Sequence, residues 1–95
     1  MPVFIGERYI PQADRKTALA QAERIRVAVG RLAPDGSPVR LLSTTFVPNE
    51  EWAFDLFEAD SAGQVERVYE ESAVAVQRVT AGVHLPGHGR VVSPD

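Results

Sequence analysis

The chain contains no cysteine, and its 95 residues include only two histidines. The absence of cysteine excludes disulfide bonds, thiolate zinc sites and cysteine nucleophiles, and it fits a protein of a reducing compartment. Any metal site would therefore combine the two histidines with carboxylates, and no zinc or calcium-loop spacing is present.

Long apolar runs and blocks of basic residues are also missing. The longest apolar stretch falls well short of the roughly 18 residues that span a membrane. The opening MPVFIGERY lacks the basic and apolar segments of a signal peptide. With a formal net charge of −3, the chain is not expected to bind nucleic acid or anionic membranes. These features predict a cytoplasmic protein.

The apolar pattern alternates between strand and helix periods along a chain long enough for one domain. Alternation and β-branched residues predict strands over 3–10, 39–47, 52–59 and 76–85. A first helix over 14–33, capped by Asp14 or Thr17, places its apolar residues on one face. These residues are Ala18, Leu19, Ala22, Ile25, Val29 and Leu32. Ser61 and Gln64 form a capping box for a second helix.

The order of elements is βαββαβ, which predicts an α+β, ferredoxin-like fold. We expect a four-stranded antiparallel sheet in the order 4-1-3-2, with both helices on one face. Residues 1–86 form this domain, and the Gly- and Pro-rich residues 87–95 are predicted to be a flexible C-terminal tail.

The strand alternation also predicts what lies on the face that the helices leave open. The more apolar sets, which include Trp52, Phe54 and Leu56, are assigned to the helix side. Gly6 and Gly82 then share a hollow on the open face. The predicted ligand-binding residues around it are Phe4, Gly6, Arg8, Asp55, Phe57, Gly82 and His84. The alternative is a dimer interface, in which Arg8 and Asp55 form an ordinary ion pair.

His84 and His88 stand close together in the segment HLPGHGRVV. They are candidate metal ligands if carboxylates complete the site. The alternative is a pair of solvated histidines at the end of a strand. A third possibility makes His84 a general base oriented by Asp55.

The N-terminal string MPVFIGERYIP resembles the start of a family of small ferredoxin-like proteins, common in actinobacteria, of largely unknown function and including a nickel-binding member. The residues that match it are Met1, Pro2, Phe4, Glu7, Arg8 and Pro11. FDLFEADSAGQV is similar to the family's third strand through Phe54, Phe57, Glu58 and Ala59.

The resemblance covers most of residues 1–85 and implies the fold, the oligomeric habit and nickel or another divalent metal as a cofactor. Ser43 and Val68 stand where the family has histidines, and His84 and His88 match no family ligand position.

Three functions remain open from the sequence. The first is a dimeric binding protein that holds a small molecule or a metal at the open sheet face. The second is a cofactor-independent isomerase, cyclase or monooxygenase, in which His84 or Asp55 moves the proton. The third is a structural or regulatory subunit without a site. A homodimer through the open face is the expected partner.

Overall fold

A computed structural model of the chain describes residues 2–36, 38–85 and 87. The strands are β1 (Val3–Tyr9), β2 (Arg40–Val47), β3 (Trp52–Glu58) and β4 (Arg78–Gly82), and the helices are α1 (Arg15–Leu32) and α2 (Ala62–Ser72). None of the helices in these residues is long and apolar enough to cross a membrane. The predicted tail lies outside the described residues except for Gly87.

The strands form one antiparallel sheet in the order β2-β3-β1-β4. This is the predicted order 4-1-3-2 read from the other edge. Both helices pack on the same face of the sheet and against each other. The ferredoxin-like α+β fold predicted from the sequence is therefore confirmed.

Both helices begin where the capping residues indicate. The Asp14 carboxylate accepts a hydrogen bond from the backbone N–H of Thr17 at 2.8 Å, so Asp14 is the N-cap of α1. Ser61 and Gln64 form the predicted capping box of α2. Gly30 lies inside α1, which continues to Leu32.

Two clusters of buried side chains form the core between the helices and the sheet. The larger cluster contains Phe4, Ile25, Ala28, Leu32, Phe57, Ala59, Val65, Val68, Tyr69 and Val74. In it, the rings of Phe57 and Tyr69 meet edge to face, with centroids 5.6 Å apart. The smaller cluster, under the first half of α1, is built from Ile10, Ala18 and Ala53. Small side chains therefore dominate the core where α1 begins.

The predicted faces of β1 and β3 are wrong. Phe4, Gly6, Arg8, Ala53, Asp55 and Phe57 are buried beneath the helices. Ile5, Trp52, Phe54 and Leu56 occupy the alternate positions and face away from them. On β4, Val79 packs against the core, while Thr80 and Gly82 lie on the other face, opposite Ile5 and Val3. Gly6 and Gly82 consequently lie on opposite faces of the sheet.

Close helix packing explains why the less apolar set is buried. On the sheet, Gly6 leaves room for the Tyr69 ring of α2, and Ala53 allows close contact with Ala18 of α1. The two charges in the set, Arg8 and Asp55, neutralise each other by direct contact. Mean apolarity of the alternating residues is therefore a poor guide to the buried face here.

Candidate functional site

Arg8 and Asp55 form an ion pair in which both side chains are 0% exposed. Arg8 Nε donates to Asp55 Oδ2 at 2.7 Å, and Arg8 Nη2 donates to Oδ1 at 3.0 Å. The register places Arg8 opposite Ala53 and Asp55 opposite Gly6. Arg8 and Asp55 are thus diagonal neighbours on the same face, within reach of a long side chain. The result is a bidentate contact, the geometry that a guanidinium favours with a carboxylate.

Three further side chains complete this arrangement. Thr44 Oγ1 donates to Asp55 Oδ1 at 2.7 Å, and Tyr69 Oη donates to Oδ2 at 2.6 Å. Arg8 Nη1 donates to Gln21 Oε1 at 2.6 Å. We call Arg8, Gln21, Thr44, Asp55 and Tyr69 the Asp55 cluster. Because each carboxylate oxygen accepts two hydrogen bonds, all four of its acceptor positions are used.

The Asp55 cluster joins β1, β2, β3, α1 and α2, because each of these elements contributes one member. A buried charge pair is costly unless its polar atoms are satisfied. Among the described residues, every fully buried side-chain nitrogen or oxygen has a hydrogen-bond partner. The cluster therefore holds the helices in register on the sheet, and its carboxylate has no position left for a ligand.

Gly6 makes the Tyr69 contact possible. A β-carbon at Gly6 would stand 1.8 Å from the Tyr69 hydroxyl oxygen. The ring of Tyr69, which projects from α2, thus passes over β1 at Gly6, the one residue of this strand without a side chain. It thereby reaches Asp55, which is the partner of Gly6 on β3. The strand glycine marks the close approach of Tyr69, where the sequence predicted a ligand.

Burial raises the pKa of Tyr69 well above its ordinary value, and the negative charge of Asp55 and the hydrogen bond to it raise the pKa further. The nearby Arg8 opposes this shift. Tyr69 therefore remains a hydrogen-bond donor in the folded protein at a pH at which the unfolded chain loses that proton.

Alkaline conditions are expected to destabilise the protein through Tyr69. Above about pH 10 the unfolded tyrosine releases its proton while the folded one keeps it, so the unfolded state binds fewer protons. The free energy of unfolding then falls with rising pH by about 1.4 kcal/mol per unit. Urea unfolding at several alkaline pH values measures this slope. The Tyr69→Phe variant should lack the part of this slope that one proton contributes, about 1.4 kcal/mol per pH unit. An equal slope in both proteins would contradict the raised pKa of Tyr69.

The structure does not bring the predicted ligand-binding residues together. Phe4 and Phe57 belong to the core, and Gly6, Arg8 and Asp55 lie under the helices. Gly82 faces the other side, where the side chain nearest to an added β-carbon is that of Ile5 at 3.9 Å. His84 is exposed, after the end of β4. The predicted hollow on the open face is therefore wrong, and His84 does not pair with the enclosed Asp55.

The residues do not fit the metal implied by the family resemblance. Ser43 lies on the face away from the helices, opposite Leu56, whereas Val68 is buried in the core on the other face. The two family histidine positions are thus separated by the sheet. The described residues contain no group of three or more metal-ligating side chains that could hold an ion. His88 lies outside the described residues.

The sheet face away from the helices carries aromatic and aliphatic side chains. We call it the open face; its central residues are Ile5, Tyr9, Trp52, Phe54 and Leu56. Tyr9 and Phe54 are 45% and 37% exposed, and the rings of Tyr9 and Trp52 lie 5.5 Å apart. These side chains give the open face an apolar surface that is accessible to a partner.

Two ion pairs lie among the apolar residues of the open face. Arg78 Nε contacts Glu7 Oε2 at 2.6 Å, and Arg40 Nη1 contacts Glu58 Oε1 at 3.1 Å. Each pair joins neighbouring strands, β4 with β1 and β2 with β3. The two cations and two anions balance, so the open face carries no net charge although the chain has −3.

Sequence reasoning missed Gln21, Thr44 and Tyr69 as partners of Asp55. Tyr69 is buried on α2 together with Val65 and Val68, and a buried tyrosine hydroxyl normally finds a hydrogen-bond partner. The need of a buried hydroxyl for a partner, together with an aspartate on a strand, could have indicated the contact between Tyr69 and Asp55. Gln21 and Thr44 carry no comparable signal, since their positions depend on the sheet register.

Comparisons with known proteins place the fold. A search of solved structures finds the crystal structure of SCO4226 from Streptomyces coelicolor A3(2), with a TM-score of 0.68 and 21% sequence identity. The match covers 90% of this chain and 99% of that chain. The two proteins share a fold. No family model and no curated protein matches the chain.

Proposed function

We propose that the protein is a homodimeric binding module whose two subunits meet through their open faces. The observation that carries this proposal is the aromatic and aliphatic surface formed by Ile5, Tyr9, Trp52, Phe54 and Leu56. Burial of such a surface against a second copy is favourable. Aromatic side chains are also the residues that dominate interface energetics. The fold shared with a Streptomyces protein supports the family resemblance, which implies an oligomer.

The charges of the open face favour a second copy as the occupant. A two-fold interface uses the same patch on both subunits, so any net charge on the patch would repel its own image. Here the Glu7–Arg78 and Arg40–Glu58 pairs cancel within each subunit. The excess negative charge of the chain lies elsewhere, and two open faces meet without like-charge repulsion.

The environment of Asp55 argues against a catalytic role for this carboxylate. A group that moves a proton has to reach the substrate directly or through one water. Asp55 is 0% exposed, and its four acceptor positions are filled by Arg8, Thr44 and Tyr69. The enzyme alternative therefore loses one of its two candidate proton carriers, and His84 loses the carboxylate that would orient it.

Substitution of Phe54 by glutamate tests the dimer. Phe54 lies on the open face, outside both core clusters, so the subunit should fold normally. Two buried glutamates per dimer should raise the dissociation constant at least about a hundredfold. Sedimentation velocity at micromolar concentrations should show a wild-type dimer and a Phe54→Glu monomer, and circular dichroism should show equal helix content.

Leu19→Glu is the matched control. Leu19 is an apolar residue with 67% exposure, but it lies on α1, away from the open face. This variant introduces the same charge and should remain a dimer. A monomeric wild-type protein, or equal weakening of the dimer by both substitutions, would overturn the proposal.

A further inference from the structure

A groove of about 210 Å³ lies on the helix side of the sheet, between the first half of α1 and the edge strand β2. We call it the α1–β2 groove. Its lining residues are Arg15, Ala18, Leu19, Ala22, Thr44 and Phe46. Thr44 and Phe46 pair with the buried Asp55 and Ala53, so the groove lies on the opposite side of the sheet from the open face.

Alanines explain why this space is unfilled. Ala18 and Ala22 have the smallest side chains of the lining, so α1 contributes little side-chain volume beside Phe46. Leu19 lies at the margin of the groove and is 67% exposed. The volume is below the range of about 300–1,000 Å³ that is typical of sites for drug-sized ligands. A compound with a single ring or a short chain fits this size.

The groove has two polar features with different hydrogen-bonding properties. The Thr44 hydroxyl gives its proton to Asp55 Oδ1, so toward the groove it offers lone pairs and accepts a hydrogen bond. Arg15 offers guanidinium donors, and among the described residues no carboxylate pairs with it. The neighbouring Asp14 uses its side chain to cap α1 at the Thr17 N–H.

We propose that the α1–β2 groove binds a small carboxylic acid with an apolar ring and a hydroxyl or amine donor. The ring would contact Ala18, Ala22 and Phe46. The donor would bind the Thr44 oxygen, and the carboxylate would pair with Arg15, a charge-assisted contact of the kind that arginine favours. This site is independent of the dimer, because its lining lies on the helix side of the sheet.

Titration with 4-hydroxyphenylacetate, followed by amide chemical shifts in ¹H–¹⁵N spectra, tests the site. The largest shifts should fall in residues 15–22 and 44–46. The uncharged 4-hydroxyphenylacetamide should bind about tenfold more weakly, because it loses the pairing with Arg15. Phenylacetate, which lacks the hydroxyl, should also bind more weakly, because the Thr44 oxygen is left without a donor.

Arg15→Glu and Lys16→Glu form a matched pair of variants. Both reverse one charge in the first turn of α1, but only Arg15 lines the groove. Arg15→Glu should weaken binding of 4-hydroxyphenylacetate at least about tenfold, and Lys16→Glu should change it little. Absence of saturable shifts, shifts confined to the open face, equal binding of acid and amide, or equal effects of the two substitutions would each overturn the proposal.

Discussion

Replacement of Arg8 by methionine is expected to lower the free energy of unfolding by about 3–5 kcal/mol, the range for removal of one partner of a buried ion pair. Methionine fills much of the same volume but leaves the Asp55 carboxylate without its two guanidinium hydrogen bonds. Gln21 also loses the hydrogen bond that it accepts from Arg8. The free energy of unfolding of a whole domain is only about 5–15 kcal/mol. The midpoint of thermal unfolding should therefore drop by about 15 °C or more.

Arg67→Met provides the control. Arg67 also forms an ion pair, with Asp35 at 3.1 Å, but it lies on α2, away from the open face, and the two side chains are 52% and 50% exposed. Water solvates Asp35 after the substitution, so the expected cost is below about 1 kcal/mol. Urea titrations of both variants measure the difference. Equal costs would mean that burial contributes nothing to the role of Arg8 and would contradict the structural account of the Asp55 cluster.

The order of elements was predictable because each carries a strong local signal. The change from strand to helix period, the Ser61–Gln64 capping box and the Asp14 cap all act over a few residues. The βαββαβ order then leaves few compatible topologies. The structure confirms the sheet order as well as the helix starts.

The faces of β1 and β3 were not predictable from mean apolarity, because both alternating sets contain large apolar residues. The set with Trp52, Phe54 and Leu56 is the more apolar, yet the set with Asp55 and Phe57 is buried. What decides between them is specific fit. Tyr69 needs the vacant space at Gly6 and the acceptor at Asp55, and both lie on the same face. The fit of Gly6, Asp55 and Tyr69 depends on tertiary contacts, and the alternation of residues along a strand carries no information about such contacts.

The reversal of the faces changes which surface is available for function. With Arg8 and Asp55 enclosed, the polar residues predicted for a ligand site stabilise the fold, and the aromatic residues predicted for the core become available to a partner. The dimer stays a prediction, but it is now assigned to different residues. It now depends on Tyr9, Trp52 and Phe54, and it requires no hollow between Gly6 and Gly82.

Substitution of Gly6 by alanine is expected to destabilise the protein by about 2–5 kcal/mol. The added β-carbon would lie 1.8 Å from the Tyr69 hydroxyl oxygen and 2.6 Å from its Cζ atom. Overpacking of this kind typically costs about 1–3 kcal/mol. Displacement of the ring also removes a hydrogen bond to a charged acceptor, which is worth about 1.5–3 kcal/mol. In an ordinary strand interior, by contrast, alanine is favoured over glycine by roughly 0.5–1 kcal/mol.

Gly82→Ala separates the steric effect from the general preference of strands for alanine. Gly82 lies on the adjacent strand, and the atom nearest to its added β-carbon, Ile5 Cδ1, is 3.9 Å away, an ordinary contact distance. This variant should be neutral or slightly more stable in thermal and urea unfolding. Tyr69→Phe combined with Gly6→Ala should cost less than the sum of the two single changes, because both act on the same hydrogen bond. Similar stabilities of Gly6→Ala and Gly82→Ala, or additive costs at Gly6 and Tyr69, would mean that Tyr69 does not cross β1 at Gly6.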